Sequence, residues 1–322
     1  MNAPTDHLGA THIEMLDGFG LTGSRQRDFR QFQIGYGKSF ASFGELVQGR
    51  TGLGDDFLVT MPVDLWSTCE LICTKIRGPL IVECDLEKSK SAIHFVLSEL
   101  GIQSGYHILV RFSRNIPVGK GLSSSTADML AALRALQEVF GFVYHETSLS
   151  QIFHAIEPHD ALFYNSCVIY NHRSGELLRD LRYIPAFKLL AVDSGGVLDT
   201  VRYNRTLEFT QSQMQCYDRL LASLTSAFNA RDDAAIAACA TRSSRLHVER
   251  TGNQLVARAL EDAEDLDALG VIATHSGTCA AFLFSSDTSD CRIAEIAKGI
   301  SYGRSANIFF TRTLEVLDCR NL

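Results

Sequence analysis

Pro117-Val118-Gly119-Lys120-Gly121-Leu122-Ser123-Ser124-Ser125-Thr126-Ala127 is the stretch on which the reading of this chain turns. Upstream, Tyr106 to Phe112 (YHILVRF) alternates and carries β-formers, which predicts a strand. Downstream, Ala127 to Phe140 (ADMLAALRALQEVF) is rich in Ala and Leu at helical spacing, which predicts a helix. Between them stand two glycines and four consecutive hydroxyl residues. Glycine lets the backbone turn tightly and approach a ligand closely. A helix start presents unpaired N–H groups and a partial positive charge. Strand, Gly/Ser loop and helix start together make a phosphate cradle. The plainer alternative is that Ser123 to Thr126 cap the helix, as Ser and Thr often do. One serine would serve for that; four behind G-K-G-L exceed what a cap requires.

Composition bounds the rest. The chain has 322 residues, 46% hydrophobic and 21% charged, enough for a large core in two domains or one large one. A net charge of -7 argues against general nucleic-acid binding, which needs a basic face. Nine cysteines, without a C-x-x-C pair, fit free thiols in a reducing cytoplasm and speak against a zinc site. Met1 to Arg30 lacks the basic start and apolar run of a signal peptide, and no apolar run is long enough to span a bilayer.

In chain order, residues 1–33 read as a polar N-terminal extension. Ser39 to Arg50 reads as a strand–turn element broken by glycines. Strands follow at Phe57 to Val63, Leu65 to Ile76 and Leu80 to Cys84, then an amphipathic helix over Leu86 to Leu100 closed by Gly101. After the Gly/Ser loop and its helix, Thr147 to Ile156 reads as a Ser/Thr-capped helix stopped by Pro158. Cys167 to Asn171 and Glu176 to Asp180 form a strand pair, and Pro185 marks a seam between 34–185 and 186–322. The second half reads as strand Lys188 to Asp193, helices Thr206 to Asn229, Asp232 to Arg250 and Asn253 to Leu269, strands Val271 to Thr274 and Ala280 to Ser285, helix Ser289 to Gly299 and strand Asn307 to Thr311. The class is α+β, with helices packed on sheet.

Several side chains have two readings at this level. Glu157 and Asp160 flank a helix-stopping proline, either as solvated or capping acids or as a magnesium ligand and a carboxylate that positions or deprotonates a hydroxyl. Lys120 is a phosphate contact or an exposed lysine. His275 is a hydrogen-bonded structural histidine or a base, and Ser276-Gly277-Thr278 is a plain hairpin turn or a glycine wall of a site. Glu45, alone, is a strand-edge acid or a site residue. The loop is not a Walker A motif, since G-x-x-x-x-G-K-[ST] does not occur at Gly119 to Ser125, and no protein-kinase loop set is present.

These residues resemble a family. Pro117 to Ala127 is similar to the P-x-x-x-G-L-x-S-S-x-A loop of the GHMP small-molecule kinases. Gly44 to Gly49 resembles their first motif, and His275 to Cys279 their glycine-rich third. Within the superfamily the likeness runs to the L-threonine kinase branch, with S-x-G-E-L-V-Q-G at Ser42 to Gly49, I-E-P-x-D at Ile156 to Asp160, V-D-x-G-G-x-x-D-T at Val192 to Thr200 and H-S-G-T at His275 to Thr278. Ser123 stands where the superfamily often has glycine, Thr126 where it often has alanine, and the segment before Asp160 lacks G-x-x-D-N.

The resemblance implies the two-domain GHMP architecture, a ribosomal-protein-like N-terminal domain followed by a ferredoxin-like C-terminal one, with the site in the cleft between. It implies ATP held by Pro117, Gly119, Gly121, Leu122, Ser123, Ser124, Ser125 and Thr126. Mg2+ would be met by Glu157 and by Ser124 or Ser125. Asp160, with Lys120, would act on the acceptor hydroxyl. Ser42, Gly44, Glu45, Asp193, Gly195, Gly196, Asp199, Thr200, His275, Gly277 and Thr278 would lie near the acceptor, and Arg202 and Arg205 are candidates for its carboxylate. The expected activity is phosphorylation of a small hydroxy-amino acid, L-threonine first, by a cytoplasmic enzyme with no nucleic-acid or membrane partner and with room for a homodimer. The rivals are a kinase for another hydroxy-amino acid, such as homoserine, and a non-catalytic nucleotide-binding homologue.

Overall fold

The computed structural model describes residues 31–195, 209–275, 278–302 and 306–314. Residues 1–30 of the expected 1–33 extension lie outside them, and Phe32 and Gln33 belong to the first strand instead. Two long strands, β1 (Phe32–Arg50) and β2 (Asp56–Pro79), pair antiparallel and form the spine. They are followed by β3 (Ile81–Glu83), α1 (Glu87–Glu99), β4 (Ser104–Arg114), α2 (Ser124–Phe140), α3 (Glu146–His154), β5 (Val168–Asn171) and β6 (Glu176–Asp180). The second half runs β7 (Phe187–Asp193), α4 (Gln211–Ala230), α5 (Asp233–Thr251), α6 (Gln254–Asp262), β8 (Gly270–Ala273), β9 (Cys279–Ser285), α7 (Asp290–Gly299) and β10 (Asn307–Arg312). One sheet orders them β10-β7-β9-β8-β1-β2-β4-β3, with β5 and β6 branching from β2.

Three local readings change. The two strands expected over 57–76 are one, because β1 supplies pairing partners on both sides of the bulge near Phe40 and Ala41. The helix expected over Asn253 to Leu269 closes at Asp262; Asn253 caps its start by accepting from the Val256 N–H at 3.1 Å, and Asp267 takes a left-handed φ of 53° that no helix accommodates. Helix α3 starts at His145 with no side-chain cap, and Glu146 in its first turn complements the helix dipole instead.

Two contacts between elements set the site. Helix α2 lies directly on β1. A Cβ on Gly37 would stand 1.9 Å from the Ala131 carbonyl oxygen, and one on Gly35 2.2 Å from that of Ala135, so only glycine facing a small-residue helix permits the approach. The second contact joins the two halves. Gly44 (φ 53°) sits in a bulge of β1 whose missing Cβ would meet the Ala273 oxygen at 2.6 Å, and Glu45 pairs with Ala273 of β8. The main core runs from α1 and α2 through β1, β2 and β4 to α4 and α5. A smaller one, including Leu190, Val256, Phe282, Phe284 and Ile293, lies under α6 and α7.

Candidate active site

The loop from β4 to α2 bends through three left-handed residues: Gly119 (φ 71°), Gly121 (φ 74°) and Ser123 (φ 57°). Ser123 is the N-cap of α2 by position, yet its side chain makes no capping bond. The capping alternative therefore fails for this serine, and no side chain claims the first-turn N–H groups. Ser123 Oγ instead donates to Asp160 Oδ2 at 2.5 Å, and Ser42 Oγ hydrogen-bonds Ser123 Oγ from the other side. Ser125 Oγ donates to Glu157 Oε1, and the second oxygen of Glu157 is held by Lys88 Nζ from α1. The serine run thus faces the two acids beyond the helix-stopping proline, across 32 and 37 residues of sequence.

The remaining loop residues divide by depth. Leu122 and Thr126 are buried beneath the loop, and Thr126 Oγ1 accepts the Asp160 N–H at 3.5 Å, which ties the acid to the helix start. Pro117, Gly119, Lys120, Gly121 and Ser124 are partly exposed on its upper side. Lys120 reaches across to the end of β7, where Nζ stands 2.8 Å from Asp193 Oδ2. Asp193 also accepts from Thr278 Oγ1 at 2.5 Å and from the Gly195 N–H at 2.9 Å. Burial alone would raise the Asp193 carboxyl, but these hydrogen bonds outweigh it and hold the group below the ordinary carboxylate range.

The acids of the cleft move the other way. Burial raises the Asp160 carboxyl, the Glu157 charge adds to that, and the Ser123 hydrogen bond opposes it. Glu45 is only 4% exposed, and burial pushes it well above its usual range, with the Asp160 charge adding to the shift. Its Oε2 has no hydrogen-bond partner among the described residues. His275 is held as a neutral structural histidine: Nδ1 meets Gln48 Oε1 at 2.7 Å, and burial drives its pKa well below the usual value.

Of the acceptor-side candidates, Ser42, Gly44, Glu45, Asp193, Gly195, His275 and Thr278 line the join of β1, β7 and β8. Gly196, Asp199, Thr200 and Gly277, with Arg202 and Arg205, lie outside the described residues. Sequence reasoning missed Lys88 and Gln48. Lys88 is one of two lysines on α1, and its partner is 69 residues away; Gln48 lies inside the first motif, and that position is the signal that would have found it.

The GHMP kinases N-terminal domain family matches residues 87–164, which hold the loop, α2 and both acids. The L-threonine kinase of Salmonella typhimurium is 34% identical to this chain over 167 residues, covering 51% of this chain and 54% of that one. The L-threonine kinase of Citrobacter freundii is 26% identical over 262 residues, 78% of this chain and 86% of that one. The fold of this chain is shared with a homoserine kinase from Cytophaga hutchinsonii (TM-score 0.64, 15% identity, 92% of this chain and 97% of that one). It is shared equally with the L. major mevalonate kinase in complex with R-mevalonate (TM-score 0.66, 16% identity, 88% and 96%). The expected α+β GHMP architecture is therefore present.

Proposed function

We propose that this chain is a GHMP kinase that transfers the γ-phosphoryl group of ATP to the side-chain hydroxyl of a small hydroxy-amino acid, L-threonine first. The observation that carries the reading is the bonding of the helix-start serines to the two acids, which brings a phosphate cradle within hydrogen-bond reach of a carboxylate of raised basicity. The reading takes residues 34–185 as the nucleotide-binding domain and 186–322 as the second. The names of the two relatives support L-threonine as acceptor.

Both implied groups fit the residues. The left-handed loop and the uncapped start of α2 leave N–H groups and hydroxyls for phosphate oxygens. Glu157 and Ser125 offer hard oxygen donors of the kind Mg2+ takes, and in phosphate sites that ion needs only one or two carboxylates. When bound, ATP supplies the phosphoryl group and Mg2+ neutralises charge on its phosphates. Every other task falls to the chain. Gly119, Gly121 and Ser123 to Ser125 seat the phosphates, with Lys120 above them. Asp160 accepts the proton of the acceptor hydroxyl, a role its raised pKa suits. Glu45, with one oxygen unpartnered, and Ser42 orient the acceptor. Placement and charge neutralisation are most of what phosphoryl transfer asks of a protein.

The test is ADP release from the purified full chain with ATP, Mg2+ and a panel of L-threonine, L-serine, L-homoserine and mevalonate. Turnover highest with L-threonine upholds the reading. Turnover highest with L-homoserine moves the acceptor within the class, and binding of ATP without turnover on any hydroxyl compound overturns it.

A further inference from the structure

Beside the cleft lies a group of cationic and imidazole side chains that the proposed chemistry does not use. Gln48 and His275 form its hub. The His172 ring, from the β5–β6 hairpin, stands 5.2 Å from that of His275, centroid to centroid. His275 also lies within electrostatic reach of His247, Arg250 and Arg173. Among the described residues the charge balance is lopsided. Arg50 and Arg173 share the single carboxylate of Asp56, at 2.9 and 3.0 Å. Arg250 has no acid partner: one nitrogen approaches His247 Nδ1 at 3.4 Å, and its Nε and Nη1 are buried without a hydrogen bond. His172 is only 5% exposed, and neither ring nitrogen has a partner.

Buried donors left without a hydrogen bond carry their full desolvation penalty. Two unsatisfied side chains around one hub, with a surplus of positive charge, describe a seat for an anion. Its position identifies the anion. Glu45 pairs with Ala273 of β8 and Gln48 Nε2 donates to the Ala273 oxygen at 3.4 Å, so the hub adjoins Glu45, which feels the charge of Asp160. The hydroxyl and carboxylate of a β-hydroxy amino acid are roughly 3–4 Å apart by ordinary bond lengths. An acceptor hydroxyl held beside Glu45 therefore sets its carboxylate toward this hub. We infer that His172 and Arg250, grouped around His275 and Gln48, seat the carboxylate of the amino-acid acceptor. The inference rests on the kinase reading for the identity of that acceptor, and it moves the carboxylate contact away from Arg202 and Arg205.

The experiment compares the full-length wild type with Arg250→Met and His172→Phe on two acceptors, L-threonine and L-threoninol, which carries a hydroxymethyl group in place of the carboxylate. Thermal melts check that each variant is folded. Wild type favours L-threonine, and each variant loses about 10- to 100-fold in kcat/KM for it, the size of a lost charge-assisted hydrogen bond. For L-threoninol the variants stay within about threefold of wild type, since no contact to it is lost. An unchanged preference in both variants, or an equal loss on both acceptors, overturns the seat while leaving the kinase reading in place. If wild type turns over neither acceptor, the kinase reading falls and calorimetry with L-threonine decides the seat separately. Binding abolished by Arg250→Met upholds it; absent or unaltered binding overturns it.

Discussion

At the residue scale the site depends on carboxyls set among different neighbours. Asp160 and Glu157 differ in neighbours: a serine hydroxyl on Asp160, a serine and a lysine on Glu157. Asp160→Asn and Glu157→Gln are expected to lower kcat on the preferred acceptor by about 100-fold or more, with ATP binding weakened mainly in the second. Steady-state kinetics with nucleotide titration separates the two, and near-wild-type rates in both would remove these assignments. Glu45 gives a prediction in stability. Its folded pKa is raised, so between its unfolded value and that raised one the folded state holds the extra proton. Stability therefore declines as pH climbs through this window. Glu45→Gln should melt higher than wild type at pH 8 and show a smaller advantage at pH 5; an equal shift at both pH values counts against a strained buried acid. The Gly/Ser loop and the two acids that its serines bond were legible as candidates in the sequence because each stands in a contiguous motif. His172 and Arg250 were not. Nothing near either residue marks it, and it is the pairing of the hairpin with β2 and the packing of α5 on β1 that bring them together.

At the level of elements, α2 carries the loop and β1 fixes α2. The Gly37 contact makes that dependence testable. Gly37→Ala forces a methyl group against the α2 backbone and should cost about 1–3 kcal/mol or more, the usual range for overpacking. Gly299→Ala, at the end of α7 with open space around it, serves as the control and should be neutral or slightly stabilising. Equal melting of the two variants would mean that β1 and α2 adjust freely. The loop has a second anchor in the Lys120–Asp193 pair, which ties it to the end of β7. A double-mutant cycle on Lys120→Met and Asp193→Asn should return a coupling of about 1–3 kcal/mol in the activation free energy for L-threonine, since either single change strands a largely buried polar partner. Strict additivity would show that the pair merely coincides. Most elements were legible from periodicity, because α1, α2, β4 and β7 each carry an unbroken pattern. The fusion of two expected strands into β2 was not, since a local break in alternation says nothing of a partner strand that continues past it.

Across the whole molecule, four buried histidines set the response to acid. Burial lowers His159 and His172 to about 4 and His247 to about 3, and carries His275 well below its usual value. In the unfolded chain each would titrate near 6.5. Between these values the unfolded state binds more protons than the folded one, so stability is full above about pH 6.5 and is lost as pH falls toward 4. Each histidine contributes at most about 1.4 kcal/mol per pH unit in that window. Glu45, Asp128 and Asp160, with raised folded values, carry the opposite sign, but they are three against four. Melting temperatures taken from pH 8 down to pH 4.5 should therefore fall most steeply below about 6.5. His247→Gln should flatten that fall by about one proton's worth while keeping a polar side chain beside Arg250. A melting curve that rises on acidification through this range would mean that the buried acids outweigh the histidines. A His247→Gln profile parallel to wild type would mean that this imidazole already takes up a proton within the fold.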